Sequence, residues 1–399
     1  MKPTVLVVTT SRWFPTARLA VALTNAGCSV QAVCPSGSPI SKTTVLDHAF
    51  SFRGLAPLTS IAAAIAAAKP DLLVSGDDLA TWHLHRLYEA SNPEDHLGAN
   101  TRALIARSLG SPEYFPIVDD RASFMHAAQE SGVRVPQTAV IADFSDFQAS
   151  QIGYPSVLKA NGTSGGDGVR VARSEEEAQA AFRRLQAPPL LARAIKRSIF
   201  DQDTTLLGPS LLRRKAAVNA QSFIVGREAT SATACWQGSI LAATHFEVLQ
   251  KAHFAGHATV VRRIDHAEMA SAVEKMAKRL QLSGFHGFDF MLEESSRNAY
   301  LIEINPRSTQ VGHLSFGAGR DLPRALISAL SGRPAQATPK VSENDVIALF
   351  PQEWLREPSS PYLRSGYHDV PWNQPELLRS ALQKSNRSSD LFRRFLRKS

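Results

Sequence analysis

Residues 154–174 read YPSVLKANGTSGGDGVRVARS, with four glycines inside the seven-residue span 162–168. Apolar runs stand on both sides. Ser174, followed three residues later by Glu177, is a capping signature for a helix beyond the second run. The stretch predicts strand, glycine loop, strand, with Lys159 closing the first strand and no helix directly behind the loop. That order excludes two common phosphate loops. A Walker A loop needs a lysine after its glycines and then a helix. A dinucleotide fingerprint needs G-x-G-x-x-G between a strand and a helix. An anion still suits the segment, because glycines let backbone N–H groups approach it without a Cβ in the way, and Lys159 adds charge. A plain structural turn is the competing reading.

A chain of 399 residues exceeds one ordinary core, so two or three domains are expected. Over the first hundred residues the runs TVLVVTT, SVQAVC, DHAFSF and DLLVS alternate with helical patterns, which predicts βαβ units and a parallel sheet. Ligands of such sheets sit beyond the carboxyl ends of the strands. Asp77 and Asp78, directly after DLLVS, stand at such an end, where they either face a substrate or cap the next helix. Near residue 112 the texture changes. After residue 335 it becomes rich in proline and aromatics, as in an ordered wrapping extension, and ends in a basic tail. The expected segments are 1–110, 111–185, 186–335 and 336–399.

Composition narrows the function. No apolar run approaches the ~18 residues of a membrane span. Three cysteines without CxxC spacing support neither a disulfide framework nor a zinc site. Much of the net charge of +8 lies in KSNRSSDLFRRFLRKS, and no nucleic-acid motif accompanies it, so a solvated terminus is the simpler reading. The N-terminus reads as a first strand rather than a leader, and the expected location is cytoplasmic.

The segment GFHGFDFMLEESSRNAYLIEINPRSTQVGH predicts two antiparallel strands joined by a turn, with Asp289 in the first and Glu303 and Asn305 in the second. Their side chains converge on one face. Oxygen donors without sulfur or imidazole describe a Mg²⁺ site shared with substrate phosphates. Arg307 falls on the side of Asn305 by alternation, provided the strand continues past Pro306.

With these pieces in order, residues 1 to about 335 resemble the ATP-grasp superfamily. EINPR is the most telling motif, similar to the metal-and-phosphate strand of the carbamoyl-phosphate synthetase and biotin carboxylase branches. The resemblance implies an α/β fold in which a parallel-sheet domain precedes two α+β subdomains that clamp ATP. It implies Mg²⁺, with Mn²⁺ as a substitute, and a small-molecule carboxylate and amine joined through an acyl phosphate. No nucleic acid or membrane is expected, and a homodimer is among the assemblies it allows. Carried over residue by residue, Arg121 and Lys159 meet the phosphates, and Gly162, Ser164, Gly165 and Gly166 belong to the lid. Gln221, Ser222 and Ile224 meet adenine, the latter two through backbone, and Glu228 holds the ribose. Asp289, Glu303 and Asn305 hold the metal, and Arg307 steadies the transferred group. His257 and His286 are substrate-side candidates, His286 equally a packing residue. A carboxylase-type enzyme activating bicarbonate and a non-catalytic nucleotide-binding regulator are the alternatives.

Overall fold

The computed structural model describes residues 2–160, 168–188, 210–212, 215–253, 256–334 and 338–383. Its first unit is a parallel sheet. Strands β1 (Thr4–Val8), β2 (Ser29–Cys34), β3 (Leu46–Ser51) and β4 (Leu72–Ser75) lie in the order β3-β2-β1-β4. Helices α1 (Phe14–Asn25), α2 (Pro57–Ala68), α3 (Asp78–Ala90) and α4 (His96–Leu109) accompany the strands. The central strand β1 and its neighbour β4 are near-continuous buried apolar runs with both faces covered, whereas the edge strand β3 is largely exposed. The β1 and β4 carboxyl ends, Thr9–Trp13 and Gly76–Asp78, open at one edge.

The next unit follows the short helix α5 (Phe115–Asp119) and α6 (Arg121–Glu130). Strands β5 (Thr138–Ile141), β6 (Ser156–Ala160), β7 (Val169–Ala172) and β8 (Val218–Ser222) form an antiparallel sheet in the order β5-β8-β6-β7. Helices α7 (Phe144–Ala149) and α8 (Glu175–Gln186) cover one face with their own core around Leu158, Phe147 and Phe182. The predicted pairing around the glycine loop is present, with Ser156 opposite Ala172 and Lys159 opposite Val169. One difference from the sequence division appears here: β8 falls in the 186–335 segment yet hydrogen-bonds into the sheet of the 111–185 segment.

The largest unit is a seven-stranded sheet ordered β13-β12-β9-β10-β11-β14-β15. It comprises β9 (Gly226–Trp236), β10 (Ser239–Lys251), β11 (Ala258–Ile264), β12 (Gly284–Glu293), β13 (Ala299–Asn305), β14 (Val346–Ala348) and β15 (Tyr367–His368). Helix α9 (Ala267–Arg279) packs on one face through Met269, Val273 and Met276, the apolar stripe legible in the sequence. Its cap is His266, whose ring accepts from the Met269 N–H, rather than Asp265, which is exposed and paired with Arg320. Helix α10 (Leu322–Ser331) packs on the other face, in a core shared with the first unit and with Leu349 and Leu377 of the C-terminal extension. The extension is thus structural: it supplies β14 and β15. No helix among the described residues is long and apolar enough to cross a membrane.

Asp369, fully buried just after β15, ties three segments together. It accepts from Arg18 of α1 and from His313 Nε2 at 2.7 Å. Burial alone would raise its carboxyl, but His313 and Arg18 outweigh this and hold it below the usual range. Replacing Asp369 by Ala leaves a buried guanidinium without its partner, so we expect a loss of about 3–5 kcal/mol, read by denaturant unfolding. An unchanged midpoint would show that the extension is not anchored there.

Candidate active site

The site is built on the β13-β12-β9 edge of the large sheet. Asp289 stands opposite Glu303, Gly287 opposite Asn305, and Thr230 of β9 opposite Asp289. Side chains two apart share a face, so Gly287, Asp289, Glu303 and Asn305 look into the cleft while Phe288 and Phe290 enter the core. Immediately after the Asp289–Glu303 pair the register slips to Phe290–Leu301, a bulge of the kind found beside functional groups. Asp289 accepts from Asn305 Nδ2 at 2.9 Å. Burial and the adjacent Glu303 charge push it up to about 6. Two crowded carboxylates are a pair that a bound cation relieves.

The opposing charges arrive from other elements. Arg121, the first residue of α6, donates to Glu303 Oε1 at 3.0 Å and to the Ala160 carbonyl at 3.3 Å, linking the large sheet to β6. Lys159 lies opposite Asn219 on β8, on the face turned away from Leu158 and Ala160. Burial pushes its ammonium down to about 8, against the pull of Glu303 and with the push of Arg121. Gly162, Ser164, Gly165 and Gly166 lie outside the described residues.

Arg307 reaches the site by a different route from the one expected. Strand β13 ends at Asn305, and a turn, closed by the Arg307 N–H on the Asn305 carbonyl at 2.7 Å, sets the side chain. Its Nη2 donates to Asn305 Oδ1 at 3.1 Å and its Nε to Asp78 Oδ1 at 2.9 Å. The guanidinium lies 4.7 Å from the centre of the Trp13 ring. Thr81 of α3 donates to the Pro306 carbonyl at 2.6 Å and fixes the same turn. Gly287 makes room for it: a Cβ there would stand 2.2 Å from Thr309 Cγ2.

The remaining candidates separate. Asp77 accepts from Thr9 Oγ1, Thr10 N and Thr10 Oγ1, each at 2.7 Å, and from the Ala80 N–H at 2.9 Å. It is a helix cap and a clamp on the β1 loop, saturated and turned from any substrate; Asp78 is the member of the pair in the cleft. His286 points to the core side of β12, with Nε2 against the Ser283 carbonyl at 2.9 Å. Burial lowers it to about 4, which keeps the ring neutral on the side of β12 that carries Phe288 and Phe290. His257 is exposed before β11, with no side-chain bond to this network among the described residues. Gln221 is buried and donates to Thr138 Oγ1 at 3.2 Å. The Ser222 N–H is taken by the Gln137 carbonyl at 2.9 Å, and Ile224 lies half-buried in the link to β9. Glu228 accepts from Lys251 Nζ at 2.6 Å. Trp13, Thr81, Thr230 and Lys251 were not anticipated. The only available signal was for Trp13, which follows a parallel strand at its carboxyl end.

Among the described residues no group of three or more His, Cys, Asp or Glu could hold a metal. Two carboxylates and an amide fall one short of a complete cage, which fits Mg²⁺ shared with phosphates and no tightly held structural ion. Asn305 Oδ1 accepts from Arg307 and keeps a second lone pair that a metal could take.

Residues 120–315 match the family described as carbamoyl-phosphate synthase L chain, ATP binding domain. The chain is 25% identical over 255 residues to the carbamoyl phosphate synthase large chain of Kocuria rhizophila, covering 59% of this chain and 20% of that protein. It is 26% identical over 226 residues to the biotin carboxylase of Haemophilus influenzae, covering 55% and 47%. It therefore spans less than half the length of these curated relatives. In fold it is similar to the N5-carboxyaminoimidazole synthetase of Staphylococcus aureus complexed with ADP, with a TM-score of 0.58 at 15% identity, covering 84% of this chain and 79% of that one. The matched region, residues 120–315, thus belongs to this ATP-binding domain family, and the chain has the fold of ATP-grasp enzymes.

Proposed function

We propose that this protein is an ATP- and Mg²⁺-dependent ligase that activates a small-molecule carboxylate as an acyl phosphate and joins it to an amine, releasing ADP and phosphate. The observation that supports this reading is one continuous charged network. It runs from Lys159 and Arg121 through Glu303, Asp289 and Asn305 to Arg307 and Asp78. In this reading residues 1–110 supply the substrate side, 111–185 and 186–335 clamp the nucleotide with β8 in the first sheet, and the described part of the extension, to residue 383, wraps the assembly.

Asp289, Glu303 and Asn305 are the groups that would hold Mg²⁺, which when bound supplies charge neutralisation across the phosphate oxygens. Lys159 and Arg121 bind the phosphates, and Gln221, Ile224 and Glu228 line the nucleoside end. The carboxylate oxygen attacks the terminal phosphorus, and ADP departs. Arg307, fixed by Asp78, Asn305 and the turn beneath it, stands where negative charge develops on the acyl group. Its contribution is preorganised charge stabilisation rather than proton transfer.

Lys159 gives the reading an energetic signature. Because its ammonium titrates near 8 instead of 10.5, the folded protein below pH 8 bears the cost of a buried cation. That cost is on the order of 3 kcal/mol. The sign follows: between 8 and 10.5 the unfolded chain holds the proton and the folded one does not, so stability rises with pH there. Lys159→Met should raise the melting temperature by a few degrees at neutral pH, the gap closing as pH rises toward 10.5, while the KM for ATP increases. A variant that neither gains stability nor loses ATP affinity would refute the phosphate role.

Glu303→Gln should abolish turnover with the fold retained by circular dichroism. Purified protein, supplied with Mg²⁺, ATP and panels of carboxylates and amines, should yield ADP and phosphate only when substrate is present. Cleavage of ATP driven by bicarbonate alone would favour a carboxylase, and AMP with pyrophosphate would refute the acyl-phosphate route.

A further inference from the structure

Asp78 enters the cleft from the N-terminal segment, outside residues 120–315. One of its oxygens accepts from Arg307 Nε at 2.9 Å, and the other has no hydrogen-bond partner among the described residues. The side chain lies deep in the molecule, yet 40% of it is open to the cleft. It is not needed to cap α3, since Asp77 does that. The groups around it are one guanidinium, Arg307, and two further carboxylates, the saturated Asp77 and Glu303 across the cleft. Negative charge is in excess there, so the site favours a cation. The Arg307 guanidinium also lies over the Trp13 indole. A single free carboxylate oxygen offers too few ligands for a metal cage and enough for one ammonium N–H.

We propose that Asp78 is the binding residue for the protonated amine of the acceptor substrate. This rests on the ligase reading above and names its acceptor class as primary amines that are charged at neutral pH. The placement is suited to the chemistry. In this reading the phosphate end of the site lies at Glu303 and Asp289, Arg307 stands at the acyl group between Asn305 and Asp78, and an amine held at Asp78 can reach a face of the acyl carbonyl. The bound ammonium gives one proton to cleft water, and its nitrogen lone pair forms the C–N bond. The acyl C–O bond to phosphate then breaks, phosphate leaves with that electron pair, and a second proton leaves the nitrogen.

The test uses hydroxylamine, which is uncharged at neutral pH and therefore does not call on an ammonium subsite. Wild type and Asp78→Asn are compared with ATP, Mg²⁺ and the carboxylate panel, with hydroxylamine, L-amino acids or simple alkylamines as acceptor. Asp78→Asn, which also removes a support of Arg307, should lose more amide than hydroxamate formation, with unchanged KM for ATP and for hydroxylamine. Its KM for charged amines should rise roughly 10- to 100-fold, the effect of losing a charge-assisted hydrogen bond. Asp78→Glu should recover part of it. Equal losses of hydroxamate and amide would overturn the proposal, leaving Asp78 as a support for Arg307. A rise confined to the KM of the carboxylate donor would overturn it as well, because the recognised ammonium would then belong to the donor. Wild-type protein that makes no ADP with any carboxylate would remove the ligase reading itself, and the acceptor assignment with it.

Discussion

The opposition of Asp289 and Glu303 across β12 and β13 is the constraint around which the rest of the site is arranged. Two carboxylates at adjacent ladder positions repel, and burial of Asp289 sharpens the repulsion. Without compensation this edge of the sheet would be destabilised. The compensation comes from three different parts of the chain: Arg121 at the start of α6, Lys159 at the end of β6, and Arg307 in the turn after β13. Each cation also carries a structural bond away from the carboxylates or a buried position of its own. Arg121 holds the Ala160 carbonyl, and Arg307 holds Asp78. The charge balance of the site and the contact between its lobes are therefore the same set of interactions.

Lys159 shows that this balance is incomplete. Four nearby charges act on it, Glu303, Asp289 and Glu228 favouring the ammonium and Arg121 opposing it, and burial still prevails. A lysine in a strand that needed only packing would be better replaced by an apolar residue. Retaining a destabilised cation beside a row of carboxylates makes sense when an anionic ligand stabilises that charge on binding, so that part of the binding energy is realised only with ligand present.

Much of this was legible in the sequence, and for identifiable reasons. Period-two alternation placed Asp289, Glu303 and Asn305 on one face, because strands leave little freedom in side-chain direction. The flanking runs around the glycine loop correctly implied the β6–β7 pairing. Failures occurred where a tertiary contact decides. Arg307 has the right position for the wrong local reason: the strand stops before Pro306, and a turn held by Thr81 replaces alternation. Asp77 and Asp78 are neighbours of the same type, yet only the hydroxyls of Thr9 and Thr10, distant in sequence, distinguish the clamp from the cleft residue. His286 was ambiguous until the register of β12 against β9 assigned it to the core side. The membership of β8 in the first sheet could not be read either, since long-range pairing leaves no local mark.

The extension beyond residue 335, which had no evident purpose in the sequence, now has one. The turn carrying Arg307 continues through Gln310 and His313. Its near end is fixed to the N-terminal unit by Thr81 and Asp78. Gln310 donates to the Ala258 carbonyl at 3.0 Å, and His313 pairs with Asp369 of the extension, which also holds Arg18 of α1. A loop with one free end could swing its arginine away from Asn305 and Asp78, and tying both ends removes that freedom. With both ends tied, the position of Arg307 is determined jointly by the parallel-sheet unit, the large sheet and the extension. A core shared by all three packs around that loop through Val311, Leu314 and Phe316. The β5–β8 sheet keeps a core of its own, and Arg121 of α6 bonds both to its Ala160 carbonyl and to Glu303 of the large sheet, so the same guanidinium sets the sheet's position relative to the carboxylates.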